Sequence, residues 1–188
     1  MNLNWKKVRT EHIVKDQWID FRRCTYKLPN NEEFGPFYNY SRRNYVVVIA
    51  RTKDDKYLTV RQFRHGIEKQ TNEFCAGGIE TNGNEYDRDN VEQALNAAKR
   101  ELNEETGYES NTWKHLLTIP SNPTIADNYA YIFFADQCEK INDLHLDDTE
   151  FLEVHRYSYD EIESLINTNQ FEQPVHVMAW LLLNKYKD

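Results

Sequence analysis

"KRELNEETGY", residues 99–108, crowds three glutamates into the last turns of a helical pattern and closes on a glycine. Val91, Leu95, Ala98 and Leu102 fall at i, i+4, i+7 and i+11, one apolar stripe of a helix over about 90–106. Asp89 is read as its N-cap, with Glu92 completing a capping box. Gly107 suits the left-handed position that ends it. At about 100° per residue the stripe centres near Leu102, and Glu101, Glu104 and Glu105 share an adjoining sector. Carboxylates at i, i+3 and i+4 repel one another by a few tenths of a kcal/mol per pair. The helix dipole disfavours anions at this end as well. A solvated surface tolerates such a cluster; a divalent cation would give it a reason.

Outward from this helix, strands and helices intermix. Residues 5–28 alternate loosely and read as two short strands, broken by Pro29, Asn30 and Asn31. "NYVVVIART" (44–52) is a β-branched buried strand, and "KYLTVRQFR" (56–64) returns as its hairpin partner after a turn at Asp54 and Asp55. The stretch from His65 to Thr71 reads as a loop leading into "NEFCAGG". Two strands follow near 113–119 and 129–136. Ser158 and Glu161 form a capping box for a helix over 159–167, and Pro174 stands as the first residue of a last helix. The pattern predicts a mixed α/β sheet flanked by helices.

The chain has 188 residues, 39% hydrophobic and 29% charged, a globular composition in one domain with a small appendage. Its longest apolar runs, "VVVIA" and "WLLL", are too short to span a bilayer. A net charge of −8 argues against a nonspecific nucleic-acid surface, which needs a basic face. Cys24, Cys75 and Cys138 are scattered, without metal-ligand spacing, and read as reduced thiols of a cytoplasmic protein.

Hard divalent ions take oxygen ligands, and Mg²⁺ is usually held by a few carboxylates together with substrate phosphates. Such ions could activate a water against a phosphate diester or anhydride. Arg100 is placed to ion-pair with one of the glutamates and hold it.

The wider pattern resembles a known signature. "AGG" at 76–78, Glu92, a seven-residue gap, and "RELNEETGY" at 100–108 resemble the Nudix box: glycine, five residues, glutamate, seven residues, then Arg-Glu-apolar-any-Glu-Glu-any-Gly-apolar. The second half matches at every specified position. Between Gly77 and Glu92 stand fourteen residues where the signature has five, an insertion of about nine. "YVVVIARTKDDKYLTVRQFR" and "DDTEFLEVHRYSYDEIESLI" further resemble the ADP-ribose pyrophosphatase branch, so that the likeness covers roughly 40–185.

The resemblance implies a Nudix-type α/β/α sandwich with a mixed sheet, comprising residues 41–188, and an N-terminal β-strand extension over 1–40 serving as a dimerisation or substrate arm. Glu101, Glu104 and Glu105 would bind metal (Mg²⁺ or Mn²⁺), with the carbonyl of Ala76. Arg100, Glu101, Glu104 and Glu150 would form the catalytic set, Glu150 or a glutamate of the box taking the proton of the attacking water. Arg43, Arg64, Gly77 and Gly78 would contact substrate, and Trp18 would stack on the base, although such a residue is more often a core or interface aromatic. The tyrosine-rich "GPFYNYSRRNY" either packs or lines a nucleotide pocket, while His65, His145 and His155 read as structural or solvent-facing. The implied reaction hydrolyses a nucleoside diphosphate derivative, ADP-ribose to AMP and ribose 5-phosphate first among the candidates, in a homodimer. A nucleotide sugar or damaged nucleotide as substrate, and a non-catalytic nucleotide-binding module, remain the alternatives.

Overall fold

The computed structural model describes residues 2–80, 90–146 and 151–186. The chain divides into two units, Met1–Asn44 with Pro120–Tyr129, and Tyr45–Ile119 with Ala130–Asp188. The first is built on an antiparallel sheet of β1 (Lys6–Lys15), β2 (Asp20–Lys27) and β3 (Glu33–Ser41), with β2 in the middle. β1 and β2 are the two strands expected from the alternation of residues 5–28. β3 has no counterpart in the sequence reading, because Gly35 and Pro36 interrupt its pattern; Pro is tolerated in a strand that is not central. The segment around Ala126 runs beside β3, where Tyr40 N–H donates to Ile125 O at 2.9 Å. Arg22, only 9% exposed, is held there by Asp20, Asn39, Ser41 and Asp127. Trp5, Tyr26 and Phe37 cluster on the same unit with ring centroids 5.3–6.1 Å apart.

The second unit carries a mixed sheet of eight strands among the described residues: β4 (Tyr45–Thr52), β5 (Tyr57–Arg64), β6 (Lys69–Glu73), β7 (Cys75–Gly78), β8 (Tyr108–Glu109), β9 (Thr112–Pro120), β10 (Tyr129–Lys140) and β11 (Leu152–Tyr157). β4 runs parallel to β10 and antiparallel to β5 and β7. The hairpin read from residues 44–64 forms as expected, and its turn places Asp55 at φ 57°. The loop expected over His65–Thr71 is shorter than that, since β6 already begins at Lys69 and pairs with β5. "KQTNE" is almost wholly polar, so no apolar alternation announces it.

Among the described residues three helices complete the unit: α1 (Val91–Thr106), α2 (Tyr159–Asn167) and α3 (Pro174–Leu183), the last followed by a single 3-10 turn. β4 is buried along its length, with Val46, Val47, Val48, Ile49 and Ala50 all inaccessible. Val47 and Ile49 pack into a core with Phe74, Ile132, Ile162 and Trp180, which joins the sheet to α2 and α3. The alternate residues Val46 and Val48 point the other way, and α1 packs on β4 and β7. A strand inaccessible on both faces between helices is the α/β/α arrangement. Trp180 centres the core, edge-on to Tyr57 at 4.8 Å and tilted on Tyr159 at 4.9 Å. The capping box at Ser158 forms with both reciprocal bonds, and Pro174 opens α3.

α1 departs from its expected design in two respects. Its N-cap is Asn90, whose side chain accepts from Gln93 N–H at 3.0 Å, rather than Asp89, which lies outside the described residues. Its buried face is also turned: Ala94, Ala97, Ala98, Glu101, Leu102 and Glu105 face inward, while Val91 and Leu95 are half-buried at its margin. Small alanines let a helix approach a sheet closely, and that proximity decides the face here more than hydrophobicity does.

Candidate active site

The site is assembled where the last two turns of α1 meet β7. Gly107, at φ 73°, ends the helix in the left-handed conformation and donates its N–H to Asn103 O at 2.7 Å. His145 N–H donates to Glu104 O at 3.0 Å, satisfying another carbonyl of the final turn. With its end fixed in this way, α1 holds Glu101 and Glu105 against the backbone of β7, 7% and 4% exposed. Glu104 is half-buried. The sequence reading placed all three glutamates beside the apolar face; two of them are in it.

Each carboxylate meets β7 or a guanidinium. Ala76 N–H donates to Glu105 Oε2 at 3.1 Å. Arg100 donates to Glu101 Oε1 and Glu104 Oε2, each at 2.6 Å, and to Gly78 O at 3.2 Å. It therefore ties down two of the glutamates, where one was expected. Burial works against the guanidinium charge, but Glu101 and Glu104 outweigh it and hold the Arg100 pKa above its ordinary value. Gly77 makes room for the group, since a Cβ at that position would coincide with the Glu101 carboxylate. Burial pushes the neighbouring Cys75 thiol well up, Glu105 adding to the effect, so Cys75 stays a neutral thiol.

Arg64 projects from the end of β5 and is bound through Nε and Nη2 to Glu73, at 2.8 and 2.5 Å. Burial opposes its charge, yet Glu73, and more weakly Glu105, raise its pKa. Trp18 and Arg43 belong to the first unit, where the Arg43 guanidinium lies 6.0 Å over the Trp18 ring and Trp18 is 67% exposed. Glu150 and the insertion before Glu92 lie outside the described residues. Glu73 was missed. Its signal was a charged residue in the otherwise apolar "EFCA", a position that burial makes costly without a partner.

The donor set suits a hard divalent cation: carboxylate oxygens held close to a strand backbone, the Glu101 carboxylate taking the space that a side chain at Gly77 would fill. Among the described residues no three acidic, His or Cys side chains converge on one point. Arg100 draws Glu101 and Glu104 to itself while Glu105 turns to Ala76. Arg100 thus supplies the positive charge that this arrangement of carboxylates requires.

The family model of the NUDIX domain matches residues 41–181. The chain belongs to the Nudix family. It is 28% identical over 181 residues to a methanol dehydrogenase activator of Bacillus methanolicus, covering 93% of this chain and 89% of that protein. It is 27% identical over 176 residues to an ADP-ribose pyrophosphatase of Bacillus subtilis (strain 168), covering 90% and 86%. Among solved structures, a crystal structure of an ADP compounds hydrolase superposes with a TM-score of 0.79 over 99% of this chain and 96% of that one, at 19% identity. At that identity the superposition speaks for the Nudix fold.

Proposed function

We propose that this Nudix chain is a divalent-metal-dependent pyrophosphohydrolase that cleaves the diphosphate bond of a nucleoside diphosphate derivative, with ADP-ribose yielding AMP and ribose 5-phosphate as the leading substrate. The observation that carries the reading is the burial of Glu101 and Glu105 against β7, with the Glu101 carboxylate seated over Gly77. Arg100 and the Ala76 N–H partner these two carboxylates, yet a stable helix face would be expected to carry apolar residues there, and such departures from local preference gather at functional sites. The ADP-ribose pyrophosphatase relative supports the substrate.

Glu101, Glu104 and Glu105, with the Ala76 carbonyl, would hold Mg²⁺ or Mn²⁺. Bound there, the cation would neutralise diphosphate charge and favour attack of water on phosphorus. Arg100 keeps Glu101 and Glu104 in register with β7. Arg64 offers a guanidinium to the diphosphate; Arg43, in the first unit, keeps the substrate contact that the resemblance implies. Gly77 and Gly78 keep the substrate contact that the resemblance implies, with the Glu101 carboxylate filling the space over Gly77, and Trp18 offers an exposed ring for base stacking. Glu150 or a glutamate of the helix receives the proton of the attacking water.

Residues 1–40 form the arm of a homodimer in this reading, supported by the exposed Val14, Trp18, Phe34 and Tyr38 of that segment. Among the described residues no helix is long and apolar enough to cross a membrane. The three cysteines are free and buried, which suits a cytoplasmic setting.

The test is a panel of nucleoside diphosphate compounds with Mg²⁺, scored for nucleoside monophosphate release, run beside Glu105→Gln. ADP-ribose is expected to turn over fastest and the variant to lose activity. Preference for a nucleotide sugar would move the substrate assignment. Turnover of none would leave a binding module, and an unimpaired variant would remove the metal mechanism.

A further inference from the structure

Glu73 is fully buried at the end of β6, yet it faces a guanidinium whose side chain is 36% exposed. Its two oxygens take Arg64 Nε and Nη2, a bidentate pairing. A guanidinium has five N–H donors, so Nη1 and the second proton of Nη2 are the donors Arg64 keeps for anything arriving from solvent. A buried ion pair of this kind is weak evidence for stability, since an apolar pair of the same size commonly does as well. Its constraint on direction is another matter: Arg64 loses the freedom of a long side chain before any ligand arrives.

The base of this arrangement is itself fixed. Phe74 N–H donates to His176 Nδ1 of α3 at 3.1 Å, and Gln173 Nε2 donates to Glu73 Oε1 at 3.5 Å. Asn72 donates through both its backbone N–H and its side-chain amide to Gln170 O, and Glu172 N–H donates to Thr71 Oγ1. β6 is thereby stitched to residues 170–176, and Glu73 sits among those stitches.

We propose that Glu73 is a positioning residue of the hydrolase, setting which edge of Arg64 meets the substrate's diphosphate. The proposal rests on the reading that Arg64 contacts that diphosphate. Glu73 touches no substrate; it acts through Arg64 alone.

The experiment measures the affinity of α,β-methylene-ADP-ribose by calorimetry in the presence of EDTA, for the wild type, Arg64→Ala, Glu73→Gln and the double variant. KM and kcat for ADP-ribose hydrolysis follow in Mg²⁺. Arg64→Ala and Glu73→Gln are each expected to weaken binding about tenfold, and the double variant to bind no worse than Arg64→Ala. KM should rise in Glu73→Gln with kcat little changed. If Arg64→Ala weakens binding but Glu73→Gln does not, while its melting temperature falls, the pair is structural and the positioning role is overturned. Additive losses in the double variant overturn it equally. If Arg64→Ala itself binds as the wild type does, the reading of Arg64 fails instead. Should Glu73→Gln not fold, Glu73→Asp, which keeps the charge and shortens its reach, takes its place in the same comparison.

Discussion

The Glu101 carboxylate lies over Gly77, in the space that any other residue would fill with its side chain. Gly77→Ala is therefore expected to displace Glu101 from β7 and strain the close packing of α1. Overpacking of this kind costs about 1–3 kcal/mol, and a misplacement near 1 Å costs about 10²-fold in rate. Paired measurements of melting temperature and kcat for ADP-ribose hydrolysis check both figures. A variant with wild-type kcat would show that Glu101 has no role in turnover.

Glu105 differs from its neighbours in meeting a backbone N–H, that of Ala76, as well as contributing charge. Glu105→Gln keeps an oxygen to accept that bond and removes the charge. Mn²⁺ affinity, followed by electron paramagnetic resonance, is expected to fall at least tenfold, about 1.4 kcal/mol, with the fold intact by circular dichroism. An unchanged affinity would take Glu105 out of the ligand set.

His176 makes stability depend on pH. Burial, with a smaller contribution from Arg64, pushes its pKa down to about 3. The ordinary value is near 6.5, so the unfolded chain takes up the proton first as pH falls. The contribution of neutral His176 is complete above pH 6.5 and is lost progressively as pH falls toward 3, by up to about 1.4 kcal/mol per pH unit. His176→Gln keeps an acceptor for Phe74 N–H and has no proton to gain. Its melting temperature should depend less on pH between 6.5 and 4 than that of the wild type; parallel curves would refute the assignment.

Ser158 caps α2 reciprocally with Glu161, the Ser158 N–H donating to Glu161 Oε2 at 2.6 Å. Ser158→Ala should cost about 1 kcal/mol, a fall of about 2–4 °C in melting temperature for a chain of this length. Hydrolysis at 25 °C should be unaffected, which a single-temperature assay verifies.

How much of this was legible in the sequence depended on whether local chemistry or long-range contact made the feature. The hairpin at 44–64, the Gly107 terminus and the Ser158 cap each follow from neighbouring residues, and all formed. β3 and β6 are held by pairing with β2 and β5, so "EFGPFYNYS" and "KQTNE" carry little signal of their own. The face of α1 was misjudged for a related reason. Periodicity ranks Leu95 above Ala94, but a sheet at close quarters prefers the smaller residue. The glutamates of the box were evident from spacing; Glu73 owes its partnership to a fold that brings it beneath Arg64.

Ala94, Ala97 and Ala98 carry no chemistry, yet they set how near α1 lies to β4 and β7. A larger side chain on these buried positions would crowd the packing between α1 and the sheet that holds the acidic end. The position of the acidic end is thus tuned, in part, by residues up to about three turns away whose merit is that they are small.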